Sequence, residues 1–251
     1  GHIREVDAIA HVVRCFEDGN VPHVSEAIDP ASDIDTINTE LMISDMETLD
    51  RRKTKIEKLA KSGDKEARSQ MEVIKKLIQS IDRNIPARAI TDFTDEEKKF
   101  AKSLTLLSAK SVLYNCNVMD PGDTKSDLVQ KVKDSAKQDG SAVVALAGKI
   151  EGEIMEMEDP EEQKMFMEEM GLTETGLDRM IATGYGLLEL STYFTAGEKE
   201  TRAWTIPKSS KAPQAAGAIH TDFEKGFIRA EVYSLEDLER YKTEAAIKEA
   251  G

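Results

Sequence analysis

Asn117-Val118-Met119-Asp120 sets a side-chain amide and a carboxylate three residues apart at the end of an apolar run. An amide both donates and accepts hydrogen bonds and an ionised carboxylate only accepts, so together they could meet a polar ligand that offers both donors and acceptors. Further along, a second apolar run ends in Ala147-Gly148-Lys149, where a glycine relaxes the backbone at a strand end. Taken alone, Asn-x-x-Asp is an ordinary turn. Between two strands of one sheet it becomes a base-reading candidate, because open α/β sheets bind ligands beyond the carboxyl ends of their strands.

Other chemistry-bearing residues read as structural. His220 and Asp222 offer two metal-type ligands without a third, the pattern of a hydrogen-bonded turn. His11 and His23 flank the first strand and its exit. Cys15 and Cys116 lie in apolar runs with neither metal-site nor disulfide spacing, as expected of buried free thiols in a cytosolic protein. The acidic run Glu151 to Glu169, with Met155, Met157, Met165 and Phe166 among its carboxylates, would suit a methionine-rich groove. An amphipathic helix pair with a solvated acidic face is the simpler reading.

The elements that position these residues follow from the apolar patterning. Ala8 to Phe16, Ser111 to Val118 and Ala142 to Ala147 are continuous apolar stretches of the kind buried in a parallel sheet. Between the last two, Lys125 to Gln138 carries Leu128, Val129 and Val132 at helical spacing, which gives a strand-helix-strand unit with a right-handed crossover. This is the latter half of a doubly wound nucleotide-binding domain. Into its first crossover a helical insertion is placed, from Asp29 to Ser108. Asp29-Pro30 supplies a cap and a first-turn proline, and Ser62-Gly63-Asp64 a stop and a new cap, so the two helices fold back as an antiparallel hairpin.

Length and composition bound the reading. A chain of 251 residues with 39% hydrophobic content can bury a substantial core in one to three domains. A net charge of −14 excludes a protein that coats nucleic acid with its whole surface. Thr192 to Ala230 has six basic residues against four acidic ones, a local +2 that leaves −16 for the remainder. Any RNA-facing surface is expected there. No secretory segment opens the chain, and no apolar run approaches the roughly 20 residues of a membrane helix, so a soluble, cytoplasmic protein is expected.

The tract TYFTAGEKETRAWTIPKSSKAPQAAGAIHTDFEKGFIRAEV, Thr192 to Val232, alternates β-branched and aromatic residues with glycine and proline punctuation. It reads as short strands and turns, with strands at Tyr193-Phe194, Ala203 to Ile206 and Phe227 to Val232. This tract resembles the C-terminal TGS domain of the YchF/Obg-like ATPase family. HVSEAIDPASDIDTINTELMISDMETLDRR resembles the entry to that family's coiled-coil arm, with Glu26 where the family usually has glycine. The resemblance implies an α/β fold: a partial doubly wound P-loop NTPase domain in 1–28 and 109–190 with a helical linker, an inserted antiparallel coiled-coil arm in 29–108, and a ubiquitin-like β-grasp (TGS) domain in 191–251, truncated at its end.

It also implies a base-reading site of Asn117, Val118, Asp120, Ala147, Gly148 and Lys149. P-loop GTPases carry Asn-Lys-x-Asp at the first of these loops, and the YchF family carries Asn-x-x-Glu and prefers adenine. Val118 replaces the lysine and Asp120 restores the shorter acid; the resemblance implies ATP as the nucleotide, and the shorter acid keeps GTP as the alternative. Ala147-Gly148-Lys149 resembles the Ser-Ala-Lys loop without its hydroxyl. No G-x-x-x-x-G-K-[ST] occurs in the sequence, so the phosphate cradle and the ligands of Mg2+ are expected to precede Gly1. Without them the chain is expected to be inactive as an ATP hydrolase, since phosphoryl transfer rests on those parts. The implied partner is the ribosome, including its RNA, met by the TGS face and the arm, with no membrane partner. The competing class is a nonenzymatic ribosome-binding module.

Overall fold

The structure is a computed structural model that describes residues 2–22, 27–197 and 199–250; His23 and Glu26 lie outside the described residues. The chain divides into two compact units, 1–188 and 189–251. In chain order the first unit contains β1 (Ala8–Arg14), α1 (Pro30–Lys61), α2 (Lys65–Asp82), α3 (Asp95–Ser103), β2 (Ser111–Asn117), α4 (Asp127–Asp139), β3 (Ala142–Leu146), α5 (Gly148–Met155), α6 (Pro160–Glu169) and α7 (Gly176–Leu187). The second contains β4 (Leu190–Ala196), β5 (Thr201–Pro207), α8 (Ala212–Ile219), α9 (Thr221–Lys225), α10 (Leu235–Tyr241) and α11 (Glu244–Ala250).

The three strands of the first unit form a parallel sheet in the order β1-β2-β3, with Val13 opposite Cys116 and Asn117 opposite Leu146. Central β2 is covered on both faces, which is why its sequence is almost uninterruptedly apolar. Val129 and Val132 of α4 share a core with Tyr114, Cys116 and Ile34 of α1, while Asn115, on the opposite face, donates to Met180 Sδ of α7 at 3.8 Å. β1 departs from the expectation of a fully buried strand: Val13 is buried, but Val12 is 63% exposed. Its alternation marks a strand covered on one face.

Local signals set the helix ends. Ser126 caps α4 by accepting from the Val129 N–H, and Gly140 ends it at φ 73° in the left-handed region. Gly63, at φ +99°, turns the chain between α1 and α2, and Asp64 caps α2 by accepting from the Ala67 N–H at 2.8 Å. Met42, Leu49 and Ile56 of α1 then pack with Met71, Ile74, Leu77 and Ile81 of α2. The root of this helix pair is fixed by Asp45, fully buried, whose two oxygens accept the N–H groups of Leu107 and Ser108, each at 2.7 Å. Beside it Arg88 pairs with buried Asp139 at 2.6 Å and donates to Asn38 of α1 at 2.8 Å. Tyr114 of β2 joins the same network through its hydroxyl.

In the second unit β4 and β5 form an antiparallel pair with Tyr193 opposite Trp204. The Tyr193 hydroxyl donates to the Ala215 carbonyl of α8 at 2.8 Å, and Trp204 Nε1 donates to Thr195 at 2.9 Å. The sequence reading is corrected in two places. Residues 212–225 form α8 and α9 instead of turns, and the expected strand Phe227 to Val232 is not a strand. β-propensity alone provides no ladder partner, and Ile228 and Val232 stand 91% and 88% exposed.

Candidate functional site

The carboxyl ends of β2 and β3 bring the two predicted loops together. Asn117 closes β2, and its side-chain Oδ1 accepts the backbone N–H of Gly148 at 3.2 Å. Its neighbour Val118 continues the ladder by donating its N–H to the Leu146 carbonyl at 3.0 Å. A Cβ added to Gly148 would lie 3.0 Å from Asn117 Oδ1, so glycine is what permits the amide to sit this close. Asn117 also ties the site to β1, because its carbonyl accepts the Cys15 N–H at 2.8 Å.

The remaining predicted residues differ in what they present. Val118 is buried in the sheet core and offers a ligand no side-chain surface. Asp120 is exposed, and one of its oxygens accepts the Gly122 N–H at 3.2 Å, starting the short 3-10 turn Pro121–Lys125. Ala147 is fully buried and precedes α5 without a side-chain cap. Gly148 and Lys149, read as loop residues, instead form the first turn of α5 and are exposed.

Residues that sequence reasoning passed over hold this arrangement. Glu151, read as part of a solvated acidic face, is only 8% exposed. One of its oxygens accepts the Ala147 N–H at 3.0 Å, and the other accepts the Gly176 N–H at the start of α7. Arg179 lies 3.6 Å from the same carboxylate and donates to the Ala145 carbonyl at 3.1 Å. Gly176 has no room for a side chain, since a Cβ there would meet Leu146 Cβ at 2.4 Å. The available signal was the position of Glu151 in the first turn of a helix, where a carboxylate is favoured by the exposed N–H groups. On the β1 side, Arg14 gathers the following loop by donating to the carbonyls of Phe16, Asp18 and Val21.

The other candidates stay outside this site. Burial pushes the His11 imidazole below its ordinary pKa, and the ring packs against Tyr114. His220 accepts the Asp222 N–H at 3.2 Å and caps α9. Cys15 and Cys116, distant in sequence, are both buried and free. A hydrogen bond to Cys116, reinforced by burial, holds the Cys15 thiol protonated by pushing its pKa up. Among the described residues no group of three or more His, Cys, Asp or Glu could hold a metal ion, and no helix is long and apolar enough to cross a membrane.

Comparison with known proteins bears on the whole chain. Residues 190–251 match the family model YchF-GTPase_C, described as "Protein of unknown function (DUF933)". The Bacillus subtilis (strain 168) protein named ribosome-binding ATPase YchF is 49% identical over 255 residues, covering all of this chain and 69% of the relative. The protein of the same name from Escherichia coli O157:H7 is 48% identical and is covered over 68% of its length. The solved structure of the Schizosaccharomyces pombe YchF GTPase matches all of this chain and 68% of its own, with a TM-score of 0.86 and 34% identity. With relatives this similar along its whole length, the chain belongs to the YchF family.

Proposed function

We propose that this chain supplies the base-recognising part of a ribosome-associated ATPase of the cytoplasm. The observation that carries the reading is the hydrogen bond from the Gly148 N–H to Asn117 Oδ1, which unites the loops leaving two adjacent parallel strands, where α/β sheets take nucleotides. Asn117 then holds the second loop in place, and Asp120 presents its carboxylate to the exocyclic and ring nitrogens of the base. Gly148 and Lys149 border the base through backbone and side-chain stem, while Ala147 and Val118 contribute only the floor behind them. The names of the relatives support ATP hydrolysis and ribosome binding, and residues 1–28 with 109–190 serve as the nucleotide-binding domain. In the same reading 29–108 is a coiled-coil arm, and 191–251, a TGS domain of β-grasp type, docks on the ribosome.

A bound nucleotide would bring Mg2+ to its phosphates. The chain's own contribution is selection of the base. An acceptor-only carboxylate pairs with the N–H donors of guanine and faces an acceptor, N1, in adenine. GTP is therefore the alternative substrate, favoured by the shorter acid at position 120.

The test is a titration of fluorescent ATP and GTP analogues against the complete gene product. Asn117→Ala should weaken binding of both by about tenfold or more, the cost of a freed loop and a lost charge-neutral hydrogen bond. Asp120→Glu should raise the ratio of ATP to GTP affinity. Equal silence toward both nucleotides in the unsubstituted protein would remove the enzymatic reading and leave a ribosome-binding module.

A further inference from the structure

The largest local excess of positive charge lies at the far end of the helix pair and not in the 192–230 tract. From Arg51 to Arg68 there are eight basic residues, Arg51, Arg52, Lys53, Lys55, Lys58, Lys61, Lys65 and Arg68, against Glu57, Asp64 and Glu66. That is +5 within a chain of net −14. All eight except Arg52, which is half-buried, are exposed. Within the cluster Glu57 is engaged by Lys61 at 2.7 Å, and the Lys61 ammonium holds its carboxyl below the usual range. Among the described residues Lys53, Lys55, Lys58 and Lys65 stand in no ion pair. Like charges crowded on a helix end cost stability unless something outside the chain neutralises them.

The scaffold fixes where those charges sit. Arg51, Lys55 and Lys58 follow the i, i+4, i+7 spacing of one helical stripe, about 6 and 4.5 Å apart along the axis. The connection beyond them is closed: the Asp64 N–H reaches the Leu59 carbonyl at 3.2 Å, Ser62 Oγ the same carbonyl at 2.8 Å, and Arg68 Nε the Ala60 carbonyl at 3.2 Å. The apolar face of the same turns is already used, with Ile56 and Ala67 each only 5% exposed between the helices. A basic helix that enters a membrane surface needs a free apolar face, and in this tip a single large apolar side chain, Leu59 at 55% exposed, stands outside the helix pair. A polyanion with regularly repeated charge and no need for apolar contact fits instead.

We propose that the tip of the α1–α2 pair, residues 51–68, binds the phosphate backbone of RNA, and that this contact adds to the docking of 191–251 in seating the protein on the ribosome. The inference rests on the ribosome-associated reading above and names the surface and the chemistry that serve it. Lysines and arginines on a rigid helix displace condensed counterions from a phosphate backbone, so the contact is sequence-tolerant and steeply salt-dependent.

The experiment compares the 251-residue chain with the triple variant R51Q/K55Q/K58Q and with the charge-preserving R51K/K55R/K58R. Each is measured from about 50 to 200 mM salt against ribosomes by cosedimentation, against deproteinised ribosomal RNA, and against vesicles containing phosphatidylserine. The neutral variant should bind both ribosomes and free RNA more weakly, with the slope of log affinity against log salt reduced by about 2. Over that range the unsubstituted chain should lose roughly twentyfold more affinity than the variant, and the charge-preserving variant should behave like the unsubstituted chain. An unaltered salt slope on RNA for the neutral variant overturns the proposal, as does binding to the vesicles in preference to RNA. Salt-dependent RNA binding without any ribosome binding would keep the phosphate-binding tip and defeat the ribosome-associated reading, so the two failures are distinguishable.

Discussion

Glu151 does the most to hold the candidate site and was the least visible of its residues. A carboxylate inside an acidic run looks solvated, yet this one is buried and accepts two backbone N–H groups, one from the loop that follows β3 and one from the start of α7. Asn117, by contrast, was legible from its place at the end of one predicted strand and before another, since Asn-x-x-Asp alone is an ordinary turn. The difference is that hydrogen bonds made along the sheet edge follow from strand order, whereas Glu151 depends on where α7 packs. Replacing Glu151 with alanine leaves the Ala147 and Gly176 N–H groups buried without acceptors. Each unpaired donor costs about 1–3 kcal/mol, so Glu151→Ala should lower unfolding free energy by about 2–4 kcal/mol in a urea titration, with Glu151→Gln recovering part of it. Gly176→Ala should cost about 1–3 kcal/mol by overpacking against Leu146. Unchanged midpoints for Glu151→Ala and Gly176→Ala would mean that the α7 junction does not support the loop.

Among the elements, the helices with regular apolar spacing were readable and those without it were not. Met42, Leu49, Met71, Ile74 and Leu77 announce α1 and α2, and Gly63 with Asp64 announces the reversal between them. α7 has a start signal in the capping box of Thr175 and Asp178, but Gly184 and Gly186 interrupt its apolar spacing, and nothing local showed that it covers one face of β2. Asp45 hides for a related reason: a charged residue within a helix reads as solvent-facing, while this one is the bracket that joins α1 to the backbone of Leu107 and Ser108. Those two N–H groups lie just before β2, so the bracket sets how the helix pair leaves the sheet. Asp45→Ala removes both acceptors in a fully buried setting and should cost about 2–4 kcal/mol. Thermal unfolding followed by circular dichroism measures it, and an effect below about 0.5 kcal/mol, the range of ordinary surface changes, would show that the helix pair is seated by its apolar contacts alone.

For the molecule as a whole, the two units differ in how much they withdraw from water. In 1–188 two clusters hold fully buried side chains, among them Tyr114, Leu49, Ile74 and Val132. Among the described residues of 189–250 none is buried, and the cohesion comes from the β4–β5 ladder, the Arg202–Trp204 stack at 4.2 Å and a few side-chain hydrogen bonds. Hydrophobic burial is the dominant favourable contribution to folding, and regions with few buried apolar contacts open at lower free energy. Native-state hydrogen exchange should therefore find the slowest amides in β2 and α4. Those of β4 and β5 should exchange more than about tenfold faster, a gap of roughly 1.4 kcal/mol or more. In urea the same asymmetry should appear as two transitions, the tryptophan signal of Trp204 changing before the bulk of the helical signal. Trp204 is the chain's only tryptophan, so its fluorescence reports on the second unit alone. Coincident transitions with equal protection in β2 and β4 would mean that the two units unfold as one, and that the thin interior of 189–251 draws its stability from the rest of the chain.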